Sequence, residues 1–292
     1  MLLSTQTEVL GPAVGEEETL RMLAKAGFDA VDFSFFRMEN EDDIWNQDGW
    51  REHALSLRRL MDELGLVCNQ AHAPFPSSSE DDAYTDKVFG QILRSMEAAS
   101  ILGARNIVVH PKTHLAPYPK KKQELHELSV EMYKRLMPYC EKWNITVCTE
   151  NMWGRDFNRR IITGNVNSTP EEFIAMLEEV NHPRFKVCLD IGHCAIVGLD
   201  PAEAIRALGK DRIVALHVHD VDYVNDNHTL PYVLKLNWDE ITRALADIGY
   251  EGDLTFEADM FIRGFPRELW QDAVDFMVKI GRNLISKVAA AG

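Results

Sequence analysis

Eight short apolar runs rich in β-branched residues alternate along this chain with eight longer segments of helical periodicity. The predicted strands cover residues 1–4, 30–33, 66–71, 106–110, 145–150, 185–190, 213–217 and 253–257. The predicted helices cover residues 17–26, 49–64, 83–102, 122–143, 170–180, 201–208, 238–248 and 267–286. Strict strand–helix alternation requires a parallel sheet with right-handed crossovers, so eight such units predict a single (β/α)8 TIM barrel.

Several helix boundaries are marked by specific residues. Thr169-Pro170 and Asp200-Pro201 each combine an N-cap side chain with proline at the first helical position. Glycine follows the helical pattern at Gly27, where a left-handed residue commonly ends a helix, and also at positions 65, 103 and 249. No Pro/Gly/Ser-rich linker divides the 292 residues, so we expect residues 1–292 to form one domain.

The composition argues against several classes of protein. A net charge of -15 opposes binding to nucleic acid, because phosphate backbones are bound mainly through Lys and Arg. No apolar run is long enough to span a membrane, and the first ten residues lack the basic start of a signal peptide. The five cysteines are scattered and odd in number, which is typical of a reducing compartment. We therefore predict a cytoplasmic protein without nucleic-acid or membrane partners.

Metal-competent side chains stand at or just after the ends of most predicted strands. They are His72, His110, Glu150, Asp190 with His193, His217 with Asp226 and His228 beyond it, and Glu257. In a barrel the carboxyl ends of the strands meet at one rim, where the active sites of such barrels are built. Imidazole and carboxylate ligands suit Zn, Mn, Co or Mg, so the pattern predicts a divalent-metal site at that rim.

Seven short segments also carry a resemblance to a known family. They are HAPF (72–75), VVHP (108–111), TEN (149–151), LDIGH (189–193), HVHD (217–220), DNH (226–228) and LTFEAD (254–259). In this order, over nearly the whole chain, they resemble the xylose-isomerase-like barrel superfamily. That superfamily contains sugar isomerases, ketose 3-epimerases, inosose dehydratases and the DNA-repair enzyme endonuclease IV.

The resemblance implies two different metal sites. The epimerase pattern implies one divalent ion held by Glu150, Asp190, His217 and Glu257, with His193 contacting substrate. The endonuclease IV pattern implies three zinc ions, and its additional ligand positions fall on His72, His110, His193, Asp226 and His228. All nine positions hold the matching residue type, whereas no counterpart of a DNA-inserting loop is present.

The favoured function is a metal-dependent isomerase or epimerase of a sugar, sugar phosphate or polyol. Glu150 and Glu257 would be the catalytic residues, one removing a proton beside the carbonyl and the other returning it on the opposite face. A dehydratase or lyase that shares this first step remains open. A multinuclear zinc phosphoester hydrolase is a second open alternative. A third is a non-catalytic barrel that binds metal or sugar, or that serves as one subunit of a larger enzyme.

Other residues near the rim are candidates for substrate binding. We expect His193, His72, Lys112 and Trp153 to contact the substrate, with Lys112 suited to a carboxylate or phosphate. Phe35 and Phe36 could stack on a sugar, and Arg155, Arg159 and Arg160 in the long 151–168 loop could meet an anion. The sequence does not determine the oligomeric state, and a homo-oligomer is one open alternative.

Overall fold

The computed structural model describes residues 1–115, 120–156 and 159–292. Eight strands form one parallel sheet in the order β10-β1-β2-β3-β4-β5-β8-β9, and β6 and β7 form a separate antiparallel hairpin. The strands are β1 Leu3–Gln6, β2 Ala30–Ser34, β3 Val67–His72, β4 Asn106–Val108, β5 Thr146–Glu150, β6 Trp153–Asp156, β7 Ile161–Gly164, β8 Phe185–Asp190, β9 Ile213–His217 and β10 Leu254–Phe256.

The sheet closes on itself between β9 and β10. A parallel bridge joins Val218, just past β9, to Phe256, and the Val218 amide donates to the Thr255 carbonyl at 2.9 Å. Together with the ring of helices outside it, this closure confirms the predicted (β/α)8 TIM barrel.

The helices surround the barrel, and in chain order they connect one strand to the next. They are α1 Leu10–Val14, α2 Glu16–Ala26, α3 Trp50–Leu64, α4 Asp82–Leu102, α5 Lys122–Trp143, α6 Pro170–Val180, α7 Ile191–Ile196, α8 Pro201–Leu208, α9 Trp238–Asp247, α10 Met260–Arg263 and α11 Trp270–Ala291. Single turns of 3-10 helix occur at Phe36–Glu39, Ile44–Asn46 and Arg267–Leu269. Within the described ranges, none of these helices has both the length and the apolar content needed to cross a bilayer.

The boundary signals in the sequence work as predicted in most places. Thr169 and Asp200 cap α6 and α8, and Asp200 accepts the Ala202 amide at 2.8 Å. Gly27 ends α2 in the left-handed conformation at φ 98°, which an L-residue rarely adopts.

Several element boundaries and one loop differ from the prediction. Strand β1 begins at Leu3 rather than Met1, because Leu3 is the first residue in register with Leu254 of β10. Helix α11 begins at Trp270 rather than Arg267, because a 3-10 turn follows Pro266. The 151–168 segment contains the β6–β7 hairpin instead of an unstructured loop.

Small apolar side chains fill the barrel interior just below the carboxyl-terminal rim. Cys148, Cys188 and Ala215 form a buried cluster with Val108. The first three lie two residues before Glu150, Asp190 and His217, and residues two apart share one face of a strand. The strands therefore aim those carboxylates and that imidazole into the barrel mouth, above an apolar floor.

Candidate metal centre

Glu150, Asp190, His217 and Glu257 converge at the carboxyl-terminal mouth of the barrel. The first three are the last residues of β5, β8 and β9, and Glu257 directly follows β10. One ligand atom from each lies within 4.8 Å of the corresponding atoms of the others. The Nδ1 atom of His217 is 3.1 Å from Glu150 Oε1, 3.1 Å from Glu257 Oε2 and 4.0 Å from Asp190 Oδ2.

The facing atoms of this group are buried without hydrogen bonds. In the described part of the chain, both Glu150 oxygens, His217 Nδ1 and Glu257 Oε2 have no hydrogen-bonding partner. The short distances between His217 Nδ1 and the carboxylate oxygens therefore show that these atoms face a common point and do not form a hydrogen-bonded network. Buried carboxylates of this kind are costly unless a cation compensates them. The donor set, three carboxylates and one imidazole, fits a divalent metal ion.

The ring of His217 is oriented by two residues on its other side. Asp32 Oδ2 lies 3.4 Å from His217 Nε2, and the Gln70 amide nitrogen lies 3.0 Å from the same atom. Gln70 also donates to Asp32 at 2.7 Å, which fixes that carboxylate. Asp32 as the acceptor would place the ring proton on Nε2 and leave the lone pair of Nδ1 facing the metal side, whereas the Gln70 amide as a donor would require the other tautomer. Asp32 is therefore the partner that suits metal binding. Neither Asp32 nor Gln70 was predicted from the sequence.

The two candidate catalytic glutamates are held in their ionised form. Burial by itself raises the pKa of Glu150, but the imidazoles of His217 and His110 outweigh burial and hold that pKa well below its usual range. Burial by itself also raises the pKa of Glu257. The imidazoles of His217 and His228 outweigh burial, so the pKa of Glu257 is held well below its usual range. Both carboxylates are therefore charged at neutral pH.

A second group of candidate ligands adjoins the first through Glu150. His72, His110 and Glu150 bring one ligand atom each within 4.8 Å of one another. His110 Nε2 is 3.1 Å from Glu150 Oε2 and 3.3 Å from His72 Nε2. Burial, together with His110 and His217, holds the pKa of His72 well below its usual range, so its ring stays neutral, the form that binds metals.

A third group lies on the opposite side of the mouth. His193, His219, Asp226 and His228 bring their ligand atoms within 4.8 Å of one another. Asp226 Oδ2 is 3.0 Å from His228 Nε2 and 3.2 Å from His193 Nε2, and it accepts the Trp153 indole N–H at 3.0 Å. All nine residues that the resemblance assigned to metals thus lie in three adjoining groups.

His219 belongs to this third group although the sequence did not identify it. Its Nε2 lies 3.0 Å and 3.1 Å from the two Asp190 oxygens, and its ring stacks on His228 with centroids 4.3 Å apart. The alternation in HVHD offered a signal, because His219 stands two residues after His217 and so points to the same side.

A cavity of about 550 Å³ opens above the three groups. Glu150, Glu257 and His193 contribute to its lining, and Trp153 and Phe36 form part of its wall. The structure thus places the two proposed catalytic glutamates and two of the proposed substrate-binding residues, His193 and Trp153, at one cavity.

Three other predicted substrate contacts lie elsewhere. His72 is fully buried below the cavity, where the Gln6 amide nitrogen lies 2.8 Å from its Nδ1. Lys112 is absent from the cavity lining of the described residues, and burial lowers the pKa of its ammonium group below the usual value. Phe35 packs in the core, 4.9 Å from the Trp45 ring, because it faces inward at the end of β2 while Phe36 faces the mouth.

The fold and the site together define a (β/α)8-barrel protein with candidate metal ligands on its carboxyl-terminal rim. A sequence profile described as "Xylose isomerase-like TIM barrel" matches residues 20–280. The chain therefore belongs to the xylose isomerase-like TIM barrel family, as the sequence motifs predicted.

Several characterised proteins are similar to this chain. D-psicose 3-epimerase of Enterocloster bolteae is 26% identical over 259 residues, which cover 85% of this chain and 79% of the relative. L-ribulose-5-phosphate 3-epimerase UlaE of Escherichia coli strain SMS-3-5 is 25% identical over 207 residues, covering 70% of this chain and 68% of the relative. Among solved structures, the IOLI protein with a bound zinc atom superposes with a TM-score of 0.76 at 16% identity, covering 100% of this chain and 99% of that one.

Proposed function

We propose that this protein is a divalent-metal-dependent epimerase or isomerase of sugars or polyols. One observation carries the proposal: Glu150 and Glu257 each place an unpaired carboxylate oxygen 3.1 Å from His217 Nδ1, beneath a cavity that both of them line. The two relatives named as sugar 3-epimerases support the same class of reaction.

Glu150, Asp190, His217 and Glu257 would hold the metal ion. Such an ion supplies a Lewis acid that polarises a substrate carbonyl and favours loss of the proton on the adjacent carbon. Burial keeps water away from these carboxylates, and their ionised state keeps them ready to accept a proton.

The two glutamates would divide the proton transfers between them. They come from β5 and β10, which four strands separate on one side of the barrel and two strands on the other. Each can therefore approach the reacting carbon from its own side. One would remove the proton and the other would return it to the opposite face, which inverts the configuration of that carbon. His193, which lines the same cavity, would orient a substrate hydroxyl.

A multinuclear zinc phosphoester hydrolase is the second candidate. The observation in its favour is that the His72, His110 and Glu150 group and the His193, Asp226 and His228 group are both assembled in full beside the first site. A lyase that begins with the same proton abstraction is a variant of the first proposal and differs only in the step that follows.

Elemental analysis of the protein, purified without chelator or metal-affinity tag, separates these candidates. One divalent ion per chain, with chelator-sensitive exchange of the proton beside the carbonyl in deuterated water, is the expected result. Two or three zinc ions per chain together with chelator-sensitive phosphoesterase turnover would replace this proposal with the hydrolase. Exchange followed by loss of a hydroxyl group would identify the lyase.

A further inference from the structure

We propose that the cavity selects an uncharged ketose or polyol over a phosphorylated one, and that Glu8 is the residue that sets this preference. The inference rests on the proposed function and narrows its substrate class. The two characterised relatives do not decide the question, because one is named for a free sugar and the other for a sugar phosphate.

Glu8 lies in the short connection between β1 and α1 and forms part of the cavity lining. Its side chain is half-buried, and no hydrogen bond or ion pair joins it to the residues that the structure describes. A carboxylate has acceptor sites only, so Glu8 is suited to accept hydrogen bonds from substrate hydroxyls. The same carboxylate would repel a phosphate dianion.

The rest of the lining lacks the usual side chains that bind phosphate. Asp226, Glu150 and Glu257 add three more carboxylates beside the imidazoles of His110, His193 and His228, and no lysine or arginine lines this cavity within the described ranges. Bound phosphate is normally held by Arg, Lys or free backbone amides. Glu150, Glu257 and Asp226 belong to the candidate metal groups, where a bound ion would compensate their charge, so Glu8 is the lining carboxylate whose charge would remain to oppose a phosphate.

Three backbone amides at short helices on this side of the barrel have partners within the protein. At the start of α1, the Val9 amide donates to Asp259 Oδ2 at 3.0 Å. At the start of α7, the His193 amide donates to Asp190 Oδ1 at 2.6 Å, and the Met260 amide that opens α10 donates to the His228 carbonyl at 3.1 Å. Helix starts that could hold a phosphate in other barrels are therefore occupied by the protein's own acceptors here.

Two arginines near this face of the barrel do not line the cavity. Arg155 lies 5.6 Å from the centroid of the Trp153 ring and lines a separate surface cavity with Arg160. Arg263 of α10 is exposed and is not part of the cavity lining. Neither provides an anion site next to the reacting groups.

The remaining wall suits the carbon skeleton of a free sugar. Phe36, Phe75 and Trp153 line one part of the cavity, and the Phe36 and Phe75 rings lie 6.3 Å apart. Aromatic rings pack against the C–H faces of a sugar, while carboxylates bind its hydroxyls. The cavity thus offers both elements that an uncharged polyol needs.

Equilibrium binding tests this preference without depending on turnover. Titration calorimetry on the zinc- or manganese-loaded protein would compare five- and six-carbon alditols with their terminal phosphates, since alditols bind without reacting. We expect the unmodified protein to bind the alditol at least about 10-fold more tightly than its phosphate, because like charges at close range are unfavourable. We expect Glu8→Gln to weaken alditol binding by roughly 3- to 10-fold through loss of a charge-assisted hydrogen bond.

Two further variants complete the test. Glu8→Lys should reverse the preference, whereas Glu18→Gln, which makes the same charge change as Glu8→Gln at an exposed position on α2, should leave it intact. The inference would be overturned if the unmodified protein bound the phosphate more tightly than the alditol, or bound the two equally. An unchanged ratio of the two affinities in Glu8→Gln would overturn it as well. Alditol binding without chelator-sensitive proton exchange on ketoses would contradict the proposed reaction while leaving the ligand preference standing.

Discussion

Gly192 leaves the space in which the imidazole of His219 reaches Asp190. A Cβ atom on residue 192 would lie 2.0 Å from Cε1 of His219, closer than any side chain tolerates. His219 Nε2 contacts both Asp190 oxygens, at 3.0 Å and 3.1 Å. The orientation of a candidate metal ligand therefore depends on a glycine that touches no ligand atom itself.

We predict that Gly192→Ala weakens metal binding. The added methyl group would displace His219 and release Asp190, and loss of such outer contacts typically lowers metal affinity by roughly 10- to 100-fold. Competition with a metal indicator measures the change. Gly90→Ala is the matched control, because a Cβ there meets nothing within 4 Å, and it should bind metal like the unmodified protein. Equal affinity in both variants would show that His219 does not position Asp190.

Asp32→Asn should lower metal affinity through His217. The amide cannot hold the proton on Nε2 as the carboxylate does, so the lone pair of Nδ1 is less well directed at the metal side. We expect a loss of roughly 10-fold in affinity, with activity restored at saturating metal. Activity that stays low at saturating metal would assign Asp32 a direct part in catalysis instead.

Glu150→Gln and Glu257→Gln should each abolish most proton exchange. Each variant keeps the shape of the side chain but removes the base, a loss of about 10²- to 10⁴-fold in kcat. Deuterium incorporation into a ketose in heavy water is the measurement, made at saturating metal so that weaker ligation is separated from lost chemistry. Retention of near-normal exchange in either variant would remove that residue from the proton-transfer pair.

Gly281→Ala should destabilise the barrel where α11 packs against it. A Cβ at residue 281 would lie 2.3 Å from Leu3 Cδ1 and 3.0 Å from Phe256 Cε2, both in the buried core. Overpacking of this kind costs roughly 1–3 kcal/mol, whereas alanine at exposed Gly90 in α4 should stabilise by about 0.5–1 kcal/mol. Urea unfolding of the two variants should shift in opposite directions.

The pair of His53 and Glu16 should make stability depend on pH. His53 Nε2 donates a hydrogen bond to Glu16 Oε2 at 2.5 Å, and this bond outweighs burial and raises the pKa of His53 above its ordinary value. A histidine whose pKa is raised by folding stabilises the folded state fully below its unfolded pKa of about 6.5. That contribution is lost as pH rises through the folded-state pKa.

His53→Gln provides the comparison for this pair. Its free energy of unfolding should fall below that of the unmodified protein at pH 6, and the gap should narrow by pH 9. A gap that is constant with pH would mean that the imidazole stabilises by packing alone, through its contact with the Trp45 ring, 5.1 Å away between centroids.

The sequence predicted the barrel because its periodicities are local. All eight sheet strands and eight main helices lie where the apolar runs and cap residues indicated, and Lys122–Trp143 and Phe185–Asp190 match to the residue. The metal-competent residues were found for the same reason, since each ends a strand or follows one closely. Their convergence required only that the strands close into one barrel.

The remaining features depend on contacts between distant segments. Asp32 and Gln70 support His217 from β2 and β3, more than a hundred residues earlier in the chain, and nothing local in β2 or β3 marks them as its partners. Lys112 was predicted to contact the substrate because it follows β4, and it does not belong to the cavity lining among the described residues. Strand position fixes where a residue is, but packing fixes where its side chain goes.

Glu150 belongs to two ligand groups at once, with Oε1 facing His217 and Oε2 facing His110. A carboxylate shared in this way would couple the number of bound ions to very few residues. Substitution of His72 or His110 would remove a second ion while leaving the first with all four of its candidate ligands.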